Sequence, residues 1–502
     1  MNVWSRRQVL LAGSGLLFAS ACSSTPSSTP TVPTVLVGSG DPAVEARDRL
    51  RRKAGAGTVT ATVRAAPVTV EVGGMSVDTW SFGERPGDGG IRAAKGDLLQ
   101  VAFQNDLPSA NTVHWHGIAL RNDMDGVHDL TMSPVAAGGS FDYAFTVPDP
   151  GTFWFHPHMG LELDRGLYAP LIVEDPSEPL AYDVDVTVML DDWLDGYGLT
   201  QDQVLYRLKK AGGHAGHMMG SGGMGGMTMG SGMDMGSMGG LTGDVAYPLH
   251  LINGRSPSEI ETFDAKPGQK VRLRFINAGS DTPYRVAIGG HSMTVTHADG
   301  FPVEAVEVDN LLLGMGERYD VIVTAADGAF PIVASPENKQ DPSAQAILRT
   351  SASAAAPKVG VVIDELAGRT LIYADLKAAD GTGLAARTPD RTTAISLTAA
   401  DGYVHGIDGK AFPDSVPIAI TEGERLRLQI TNDTMMFHPI HLHGHTFQVV
   451  GDGNARKDTV NVLPMETVTI DIEGDNPGQW MLHCHNTYHF EMGMATTLSY
   501  RR

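Results

Sequence analysis

The chain has 502 residues and a formal net charge of −21, an acidic balance that argues against nucleic acid as a partner because neutralising phosphates requires clustered basic side chains. The length suffices for about three domains of roughly 150 residues each. With 59 glycines, 29 prolines and only 19% charged residues, the composition favours many short strands joined by turns.

The N-terminus has the features of an export signal. Arg6-Arg7 precedes an apolar run from Val9 to Ala21, a combination typical of twin-arginine signals. The run is too short, and too interrupted by glycine, to span a membrane stably. We therefore assign residues 1–35 to a signal peptide and tether, and we expect an exported protein of the cell envelope or periplasm.

Two endings of this signal are open. Residues 19–21 (Ala-Ser-Ala) form a small-x-small cleavage site, but together with Cys22 they also resemble a bacterial lipobox, whose cysteine is lipidated. A lipobox usually has leucine where Ala19 stands. The Ser/Thr/Pro-rich stretch 23–33 suits an anchored protein, so we favour a lipid anchor through Cys22. Either ending leaves Cys484 as the only thiol of the mature body.

Three segments of short alternating strands follow the tether. We expect domain 1 over residues 55–178, domain 2 over 180–355 and domain 3 over 358–502. The pattern Gly-x-x-[LV]-x-[LVF]-x-[FI]-x-Asn occurs once in each, at residues 96–105, 268–277 and 423–432. These copies predict three related β-domains. A His-x-His pair follows the first and third copies only, so the middle domain should lack metal ligands.

Residues 214–238 interrupt the strand pattern of domain 2. They contain eight methionines and two histidines among glycines and serines, with no helical or strand periodicity. One interpretation is a flexible loop without chemical importance. Methionine is an unusual residue for a linker, however, and thioethers suit Cu(I), so we favour copper capture.

Four His-x-His pairs are the strongest chemical feature of the chain. They are His114/His116, His156/His158, His441/His443 and His483/His485. In a strand, residues two apart share one face and the residue between them points the other way. Because Cys484 lies inside the last pair, this tripeptide can serve a histidine-rich centre on one face and a thiolate centre on the other.

A second set of ligands lies around Cys484. His438 is upstream, His489 follows five residues later and Met494 ten residues later. A thiolate, two imidazoles and a weak axial thioether describe a blue-copper electron-transfer site. Met492 competes for the axial position, but the spacing favours Met494. Zinc is the main alternative metal for a Cys/His cluster, yet one tetrahedral ion uses far fewer ligands than the chain offers.

Together, these motifs resemble the four copper motifs of the multicopper oxidases. The matching residues are His114-Trp115-His116-Gly117, His156-Pro157-His158, His438-x-x-His441-x-His443 and His483-Cys484-His485-x-x-x-His489-x-x-x-x-Met494. The match spans most of the mature chain and is closest to three-domain bacterial laccases and periplasmic cuprous oxidases. It implies an all-β protein of three cupredoxin-like Greek-key β-barrels, with a trinuclear copper centre between the first and last.

The resemblance also implies four copper ions. His438, Cys484, His489 and Met494 would bind one type 1 copper. His114 and His441 would bind one type 2 copper. The type 3 pair would be held by His116, His156, His158, His443, His483 and His485. Electrons would enter at the type 1 copper and pass through Cys484, and four one-electron oxidations of substrate would reduce dioxygen to water.

Dioxygen reduction also consumes protons. Asp125 lies where the family places a carboxylate near the type 2 copper, and we assign it a catalytic role. The alternative is a turn aspartate, because Asp125-Gly126 is a turn signal. The family acid that often precedes the last type 1 histidine is replaced by Tyr488, and Glu491 is a weak substitute. We treat the remaining histidines as ordinary polar or buried residues, among them His128, His291, His297, His405 and His445.

Three functions are compatible with these residues. The leading hypothesis is an exported copper-tolerance oxidase that converts Cu(I) to Cu(II) with dioxygen as the acceptor. The second is a general laccase that oxidises phenols or Fe(II). The third is a copper-sequestering protein without turnover, which the complete ligand set disfavours. In copper-tolerance relatives the Met-rich insert usually lies in the third domain, so its access to the type 1 copper is an open question here.

Overall fold

The computed structural model describes residues 35–212, 242–451 and 453–502. Residues 36–502 form one compact unit that consists mostly of strands. The predicted signal peptide with its Cys22 anchor and the Met-rich segment 214–238 lie outside the described residues. Within the described ranges, no helix is long and apolar enough to cross a membrane.

Domain 1 contains two four-stranded sheets that share an apolar core. Its strands are β1 (Thr58–Val72), β2 (Met75–Ser81), β3 (Ile91–Ala94), β4 (Leu98–Asn105), β5 (His114–His116), β6 (Ser140–Thr146), β7 (Gly151–His156) and β8 (Ala169–Glu174). The sheet orders are β2-β1-β4-β6 and β3-β8-β7-β5.

Domain 2 pairs a six-stranded with a five-stranded sheet around a core of its own. Its elements are β9 (Val184–Trp193), β10 (Leu249–Ile252), β11 (Glu261–Asp264), β12 (Lys270–Asn277), β13 (Tyr284–Ile288), β14 (Met293–Ala298), β15 (Phe301–Val308), β16 (Asn310–Leu313), β17 (Arg318–Thr324), β18 (Ala329–Pro336) and β19 (Ala344–Arg349). The orders are β10-β9-β12-β17-β14-β15 and β11-β19-β18-β13-β16.

Domain 3 repeats the arrangement of domain 2. Its elements are β20 (Arg391–Ala400), β21 (Val404–Ile407), β22 (Ile418–Ile420), β23 (Arg425–Asn432), β24 (His438–Leu442), β25 (Phe447–Val449), β26 (Arg456–Lys457), β27 (Thr459–Val462), β28 (Thr467–Glu473), β29 (Gln479–Cys484) and β30 (Ala495–Tyr500). The orders are β21-β20-β23-β28-β25-β26 and β22-β30-β29-β24-β27. Its core is continuous with that of domain 1.

Within the described ranges, three α-helices accompany the sheets. They are α1 (Pro42–Arg51), α2 (Gln201–Ala211) and α3 (Thr487–Glu491). Helix α1 connects domains 1 and 3, because Asp48 accepts hydrogen bonds from Thr146 and Arg51 donates to the side chain of Asn476.

The strand that carries the repeated pattern occupies the same place in every domain. Strands β4, β12 and β23 each pair in parallel with the first strand of their domain and antiparallel with a later one. Such non-consecutive neighbours are typical of Greek-key barrels. The all-β, three-domain architecture predicted from the repeats is therefore confirmed, while the predicted boundaries stay predictions.

The last residue of the pattern explains why it recurs. Asn105, Asn277 and Asn432 are each fully buried, and each donates through its amide to at least two carbonyls of the following segments. Each Oδ1 also accepts the backbone N–H two residues later. The asparagine therefore stabilises the loop that follows the strand. In domains 1 and 3, that loop leads to His114 and His438.

Candidate metal centres

Strand pairing brings histidines from domains 1 and 3 into one space. In domain 1, β5 and β7 place His114 opposite His156. In domain 3, β24 and β29 place His441 opposite His483. The two sheets contribute these side chains to a common buried cluster, because the ring centroids of His114 and His441 are 5.7 Å apart.

All eight paired histidines meet there, and we call this set the histidine cluster. Each of the eight is at most 4% exposed. Neighbouring ring centroids are 3.7 Å apart for His114 and His443, 3.7 Å for His116 and His441, 5.1 Å for His158 and His483, and 5.2 Å for His156 and His485. The structure therefore brings together every histidine that the four pairs predict.

Hydrogen bonds determine which ring nitrogen faces the cluster. Nδ1 lies 2.8–2.9 Å from a carbonyl or carboxylate oxygen in His114, His156, His441, His443 and His483. Such oxygens only accept, so Nδ1 carries the proton and Nε2 keeps its lone pair. The Nε2 atoms of His114 and His441 face each other at 3.4 Å, and those of His443 and His483 at 3.0 Å.

Four histidines of the cluster have ring nitrogens without a hydrogen-bond partner among the described residues. These atoms are Nδ1 of His116, Nε2 of His156, and both nitrogens of His158 and His485. A buried polar atom left unpaired costs about 1–3 kcal/mol. Burial, and then the neighbouring imidazoles, lower the pKa of His156, His158 and His443 well below the usual value, so the rings are neutral. Converging neutral imidazoles with free lone pairs fit a group of copper ions.

Asp125 contacts two histidines of the cluster. Its Oδ2 lies 2.9 Å from Nδ1 of His443 and its Oδ1 lies 3.2 Å from Nδ1 of His114. Its side chain is fully buried. Asp125 therefore orients cluster histidines in addition to forming the turn with Gly126, and its part in proton transfer stays a prediction.

Asp458 is a second buried carboxylate at the cluster, which the motifs did not predict. Its Oδ1 accepts a hydrogen bond from Nε2 of His116 at 3.1 Å, and its carbonyl accepts one from Nδ1 of His441 at 2.9 Å. Burial alone would raise the pKa of Asp458, but Arg318 and the two histidines lower it well below the usual value. The only hint in the sequence is the charged pair Lys457-Asp458 amid buried strand residues.

Cys484 lies in a second site on the other face of β29. Its Sγ is 3.6 Å from Nδ1 of His438 and 3.7 Å from Nδ1 of His489, and these two nitrogens are 3.1 Å apart. Met494 is buried in the same apolar core, and its carbonyl accepts the N–H of Cys484. His483, the preceding residue, points into the histidine cluster. The alternation of the strand therefore separates the thiolate from the imidazoles as expected.

Helix α3 returns the chain to this site. The side chain of Asn486 caps it by accepting the N–H groups of Tyr488 and His489, and its own amide donates to Asp281 of domain 2 at 2.7 Å. Met492, the competing thioether, lies at the end of the helix and packs against a different apolar cluster from that of Met494.

Tyr488 stands where relatives often have an acid, and it contacts one. Its hydroxyl donates to Oδ2 of Asp164 at 2.6 Å, and Tyr247 donates to Oδ1 of the same carboxylate at 3.2 Å. Asp164 is buried and belongs to domain 1. Burial raises the pKa of Glu491, the weak substitute considered from the sequence.

Two further residues contact His489, and neither was predicted. Asp244 of domain 2 lies 3.0 Å from Nε2 of His489 and accepts the hydroxyl of Tyr403 at 2.7 Å. His405, treated above as ordinary, stacks on His489 with centroids 4.1 Å apart. Burial alone would lower the pKa of His489, but Asp244 and Cys484 raise it to about 10.

Comparison with known proteins identifies the family. Three family models described as multicopper oxidase match residues 66–178, 185–353 and 385–502. The chain is 44% identical to "Multicopper oxidase MmcO" of Mycobacterium tuberculosis, with 99% of this chain and 97% of that protein covered. It is 28% identical to "Copper resistance protein A homolog" of Pseudomonas syringae pv. tomato, with 80% and 86% covered.

Solved structures agree with these matches. The laccase from Botrytis aclada superposes with a TM-score of 0.72 at 25% identity and covers 88% of each chain. This neighbour supports the three-domain, cupredoxin-like fold expected from the resemblance. Copper is the family's cofactor, as type 1, type 2 and binuclear type 3 centres, and its members are oxidoreductases that use oxygen. The chain therefore belongs to the multicopper oxidase family.

Proposed function

We propose that this oxidase takes electrons from Cu(I) beside Cys484 and uses them to reduce dioxygen at the histidine cluster. In this proposal His438, Cys484, His489 and Met494 hold the type 1 copper, and His114 and His441 hold the type 2 copper. The type 3 pair is held by His116, His156, His158, His443, His483 and His485. Bound copper would supply one-electron transfer at the first site and dioxygen reduction at the second.

The covalent link between the sites supports turnover over storage. Cys484 is bonded through the backbone to His483 and His485, so one tripeptide joins the thiolate site to the histidine cluster. A sequestering protein would need no such connection. A small cavity of about 20 Å³, lined by His158, His483 and Phe490 among others, lies beside the cluster.

The single observation that favours Cu(I) as the donor is where the residues flanking the Met-rich segment lie. Leu208, before the segment, and Val245, after it, pack in one apolar cluster with Tyr403 of domain 3. Asp244, next to Val245, contacts His489. Both flanks are therefore anchored beside the type 1 residues, although the segment belongs to domain 2. This placement supports access of captured Cu(I) to that site.

The Met-rich segment and Asp244 both offer side chains that suit a cuprous donor. Thioethers bind Cu(I), and the buried carboxylate of Asp244 attracts a cation. The similarity to proteins named for copper resistance supports a role in copper tolerance. Laccase activity on phenols is the second candidate, and the likeness to the Botrytis aclada laccase favours it. Fe(II) is a further donor compatible with the site.

Asp125 is proposed to relay protons for dioxygen reduction. It is a buried carboxylate with one oxygen on His443 and the other on His114, so it lies between the proposed type 2 and type 3 ligands. Asp125→Asn keeps the shape of the side chain but removes the ionisable group. We expect turnover to fall while the copper content holds, and an unchanged rate would contradict the assignment.

Export by the twin-arginine route and anchoring through Cys22 belong to the same proposal. Their support is the Arg6-Arg7 pair and the resemblance of residues 19–22 to a lipobox. Replacing both arginines with lysine should retain the precursor in the cytoplasm. Cys22→Ser should release the exported protein from the membrane fraction, and unchanged fractionation would refute the anchor.

The test of Cu(I) as substrate targets the Met-rich segment. Deleting residues 214–238 should lower the kcat/KM for Cu(I) more than that for a bulky phenol. A matched variant with all eight methionines replaced by leucine keeps the length, so it separates the thioethers from the loop itself. Equal loss of both activities, or of neither, would contradict the proposal.

A further inference from the structure

We propose that Arg318 of domain 2 is a positioning residue of the copper-binding histidine cluster and acts through Asp458. Domain 2 contributes no ligand to the cluster in the assignment above. In this proposal, domain 2 does more than contribute to substrate access. Through Arg318 it sets the orientation and tautomers of residues that hold the type 2 and type 3 coppers.

Arg318 is held in one orientation by four hydrogen bonds. Nη1 and Nη2 donate to the two oxygens of Asp458, each at 2.7 Å. Nε donates to the carbonyl of Thr152 in domain 1 at 3.0 Å, and Nη1 also donates to the carbonyl of Gly316 at 3.2 Å. The side chains of Arg318 and Asp458 are fully buried. The planar guanidinium of Arg318 lies where all three domains meet. Its two parallel hydrogen bonds fix both the position and the orientation of the Asp458 carboxylate.

Asp458 in turn orients two imidazole rings, those of His116 and His441. Its Oδ1 accepts the proton on Nε2 of His116, which leaves Nδ1 free to bind a metal. Its carbonyl accepts the proton on Nδ1 of His441, which leaves Nε2 free. The two rings stack with centroids 3.7 Å apart and planes at 10°. Displacing Asp458 would therefore disturb one type 3 and one type 2 ligand together.

Two glycines show how closely domain 2 approaches the cluster. A Cβ added to Gly117 would lie 2.5 Å from Nη2 of Arg318 and 2.7 Å from Oδ2 of Asp458. A Cβ added to Gly316 would lie 2.9 Å from His116 and 3.0 Å from His485. Gly117, the last residue of the first copper motif, thus makes room for the ion pair. Gly316 lets the backbone of domain 2 touch the imidazoles directly.

A second buried ion pair secures the same junction. Nζ of Lys457 lies 3.1 Å from Asp299 and 3.0 Å from Glu317, both in domain 2. Lys457 precedes Asp458, and Glu317 precedes Arg318, so the two ion pairs are adjacent along both segments of the chain. The contact between β17 and the start of β27 is therefore specified at two consecutive positions.

Arg318→Lys tests the proposal, because lysine keeps the charge but cannot form the fork. The matched control is Arg272→Lys. Arg272 is also a buried arginine of domain 2, but its bonds go to Asp320, Glu178 and His297. Both variants disturb a buried ion network. Of the two arginines, only Arg318 has a partner, Asp458, that contacts the histidine cluster.

The readouts are the copper content per chain, the EPR signal of type 2 copper, the blue absorption and the thermal unfolding of apo and copper-loaded protein. Arg318→Lys should weaken copper binding at the cluster about 10-fold or more while the blue absorption persists. The rise in Tm on copper loading should shrink, because less binding energy stabilises the folded state. Arg272→Lys should lower the Tm of both forms and keep the full copper content.

A full copper complement and an unchanged type 2 EPR signal in Arg318→Lys would overturn the proposal. If that variant fails to fold, Asp458→Asn provides the second test with the same readouts. It should lose cluster copper and keep the blue absorption, and full copper retention would overturn the proposal equally. None of these measurements uses a reducing substrate, so failure of the Cu(I) proposal is distinguishable from failure of this one.

Discussion

Replacing Asp244 with asparagine removes the negative charge that His489 faces across the boundary between domains 2 and 3. The change preserves the size of a side chain that is only 7% exposed. Asparagine can still accept from Nε2 of His489 at 3.0 Å and from the hydroxyl of Tyr403 at 2.7 Å. The two hydrogen bonds therefore survive as neutral ones, and the main loss is the charge.

The magnitude follows from the difference between charged and neutral hydrogen bonds. Bonds to charged groups contribute about 1.5–3 kcal/mol and neutral ones about 0.5–1.5 kcal/mol, so the bond to His489, the one that involves a proposed copper ligand, loses about 1–1.5 kcal/mol in Asp244→Asn. That is about a factor of ten in an equilibrium constant, or about 60 mV for a one-electron couple. A carboxylate beside a ligand stabilises Cu(II) relative to Cu(I). Removing its charge should therefore raise the reduction potential of the type 1 copper by up to about 60 mV.

The two substrates should then respond in opposite directions. The kcat/KM for Cu(I) should fall about 10-fold, because the cation loses the attraction of the carboxylate beside His489. The kcat/KM for a phenol should stay unchanged, or it should increase because the reduction potential is higher. Asp341→Asn is the control, since Asp341 lies 3.5 Å from Nε2 of a different histidine, His250. Equal losses for both substrates, a lowered potential, or the same result in the control would refute this explanation.

Three further variants test other parts of the structure. Cys484→Ser removes the thiolate, so blue absorption and steady turnover should disappear, and a blue, active variant would refute the type 1 assignment. Asp320→Asn should cost about 3–5 kcal/mol of unfolding free energy at neutral pH, because Arg272 and Arg274 would lose a buried partner. Although burial alone would raise it, these arginines hold the pKa of Asp320 far below its usual 3.8, so the stabilisation is complete above that pH and disappears as the pH falls through the lowered pKa. The difference in unfolding free energy between the wild type and Asp320→Asn, measured with denaturant, should therefore decrease in acid. A difference that does not change with pH would contradict the ion pairing. Asn277→Ala leaves the carbonyls of Thr282 and Leu313 and the N–H of Gly279 unpaired, so it should cost about 3 kcal/mol in the same assay, and a cost below about 1 kcal/mol would argue against the structural role of the repeat.

The clustering of the proposed ligand residues was predictable because their spacing is local. Two residues along a strand return a side chain to the same face, so His483 and His485 enter one site and Cys484 the other. The repeat was predictable for a similar reason, since its apolar positions and its asparagine lie in one strand. What the sequence could not show was which carbonyls Asn277 would bind, because one of them, that of Leu313, belongs to a segment distant in the chain.

The residues around the ligands were not predictable, because other domains supply them. Asp244 reaches His489 from domain 2, and Arg318 reaches Asp458 from the same domain. Neither belongs to a motif near a copper ligand, and their roles depend on how the domains pack. His405 illustrates the same limit, since its four-residue strand gives no sign that the ring stacks on His489.

The most direct measurement is dioxygen uptake by the fully copper-loaded protein with Cu(I), held by a chelator, as the sole electron donor. Catalytic cuprous oxidation predicts four Cu(I) consumed for each dioxygen, no hydrogen peroxide, and no uptake by Cys484→Ser. Cu(I) binding without dioxygen uptake would contradict it and indicate sequestration. Uptake with a phenol but not with Cu(I) would instead indicate a general laccase.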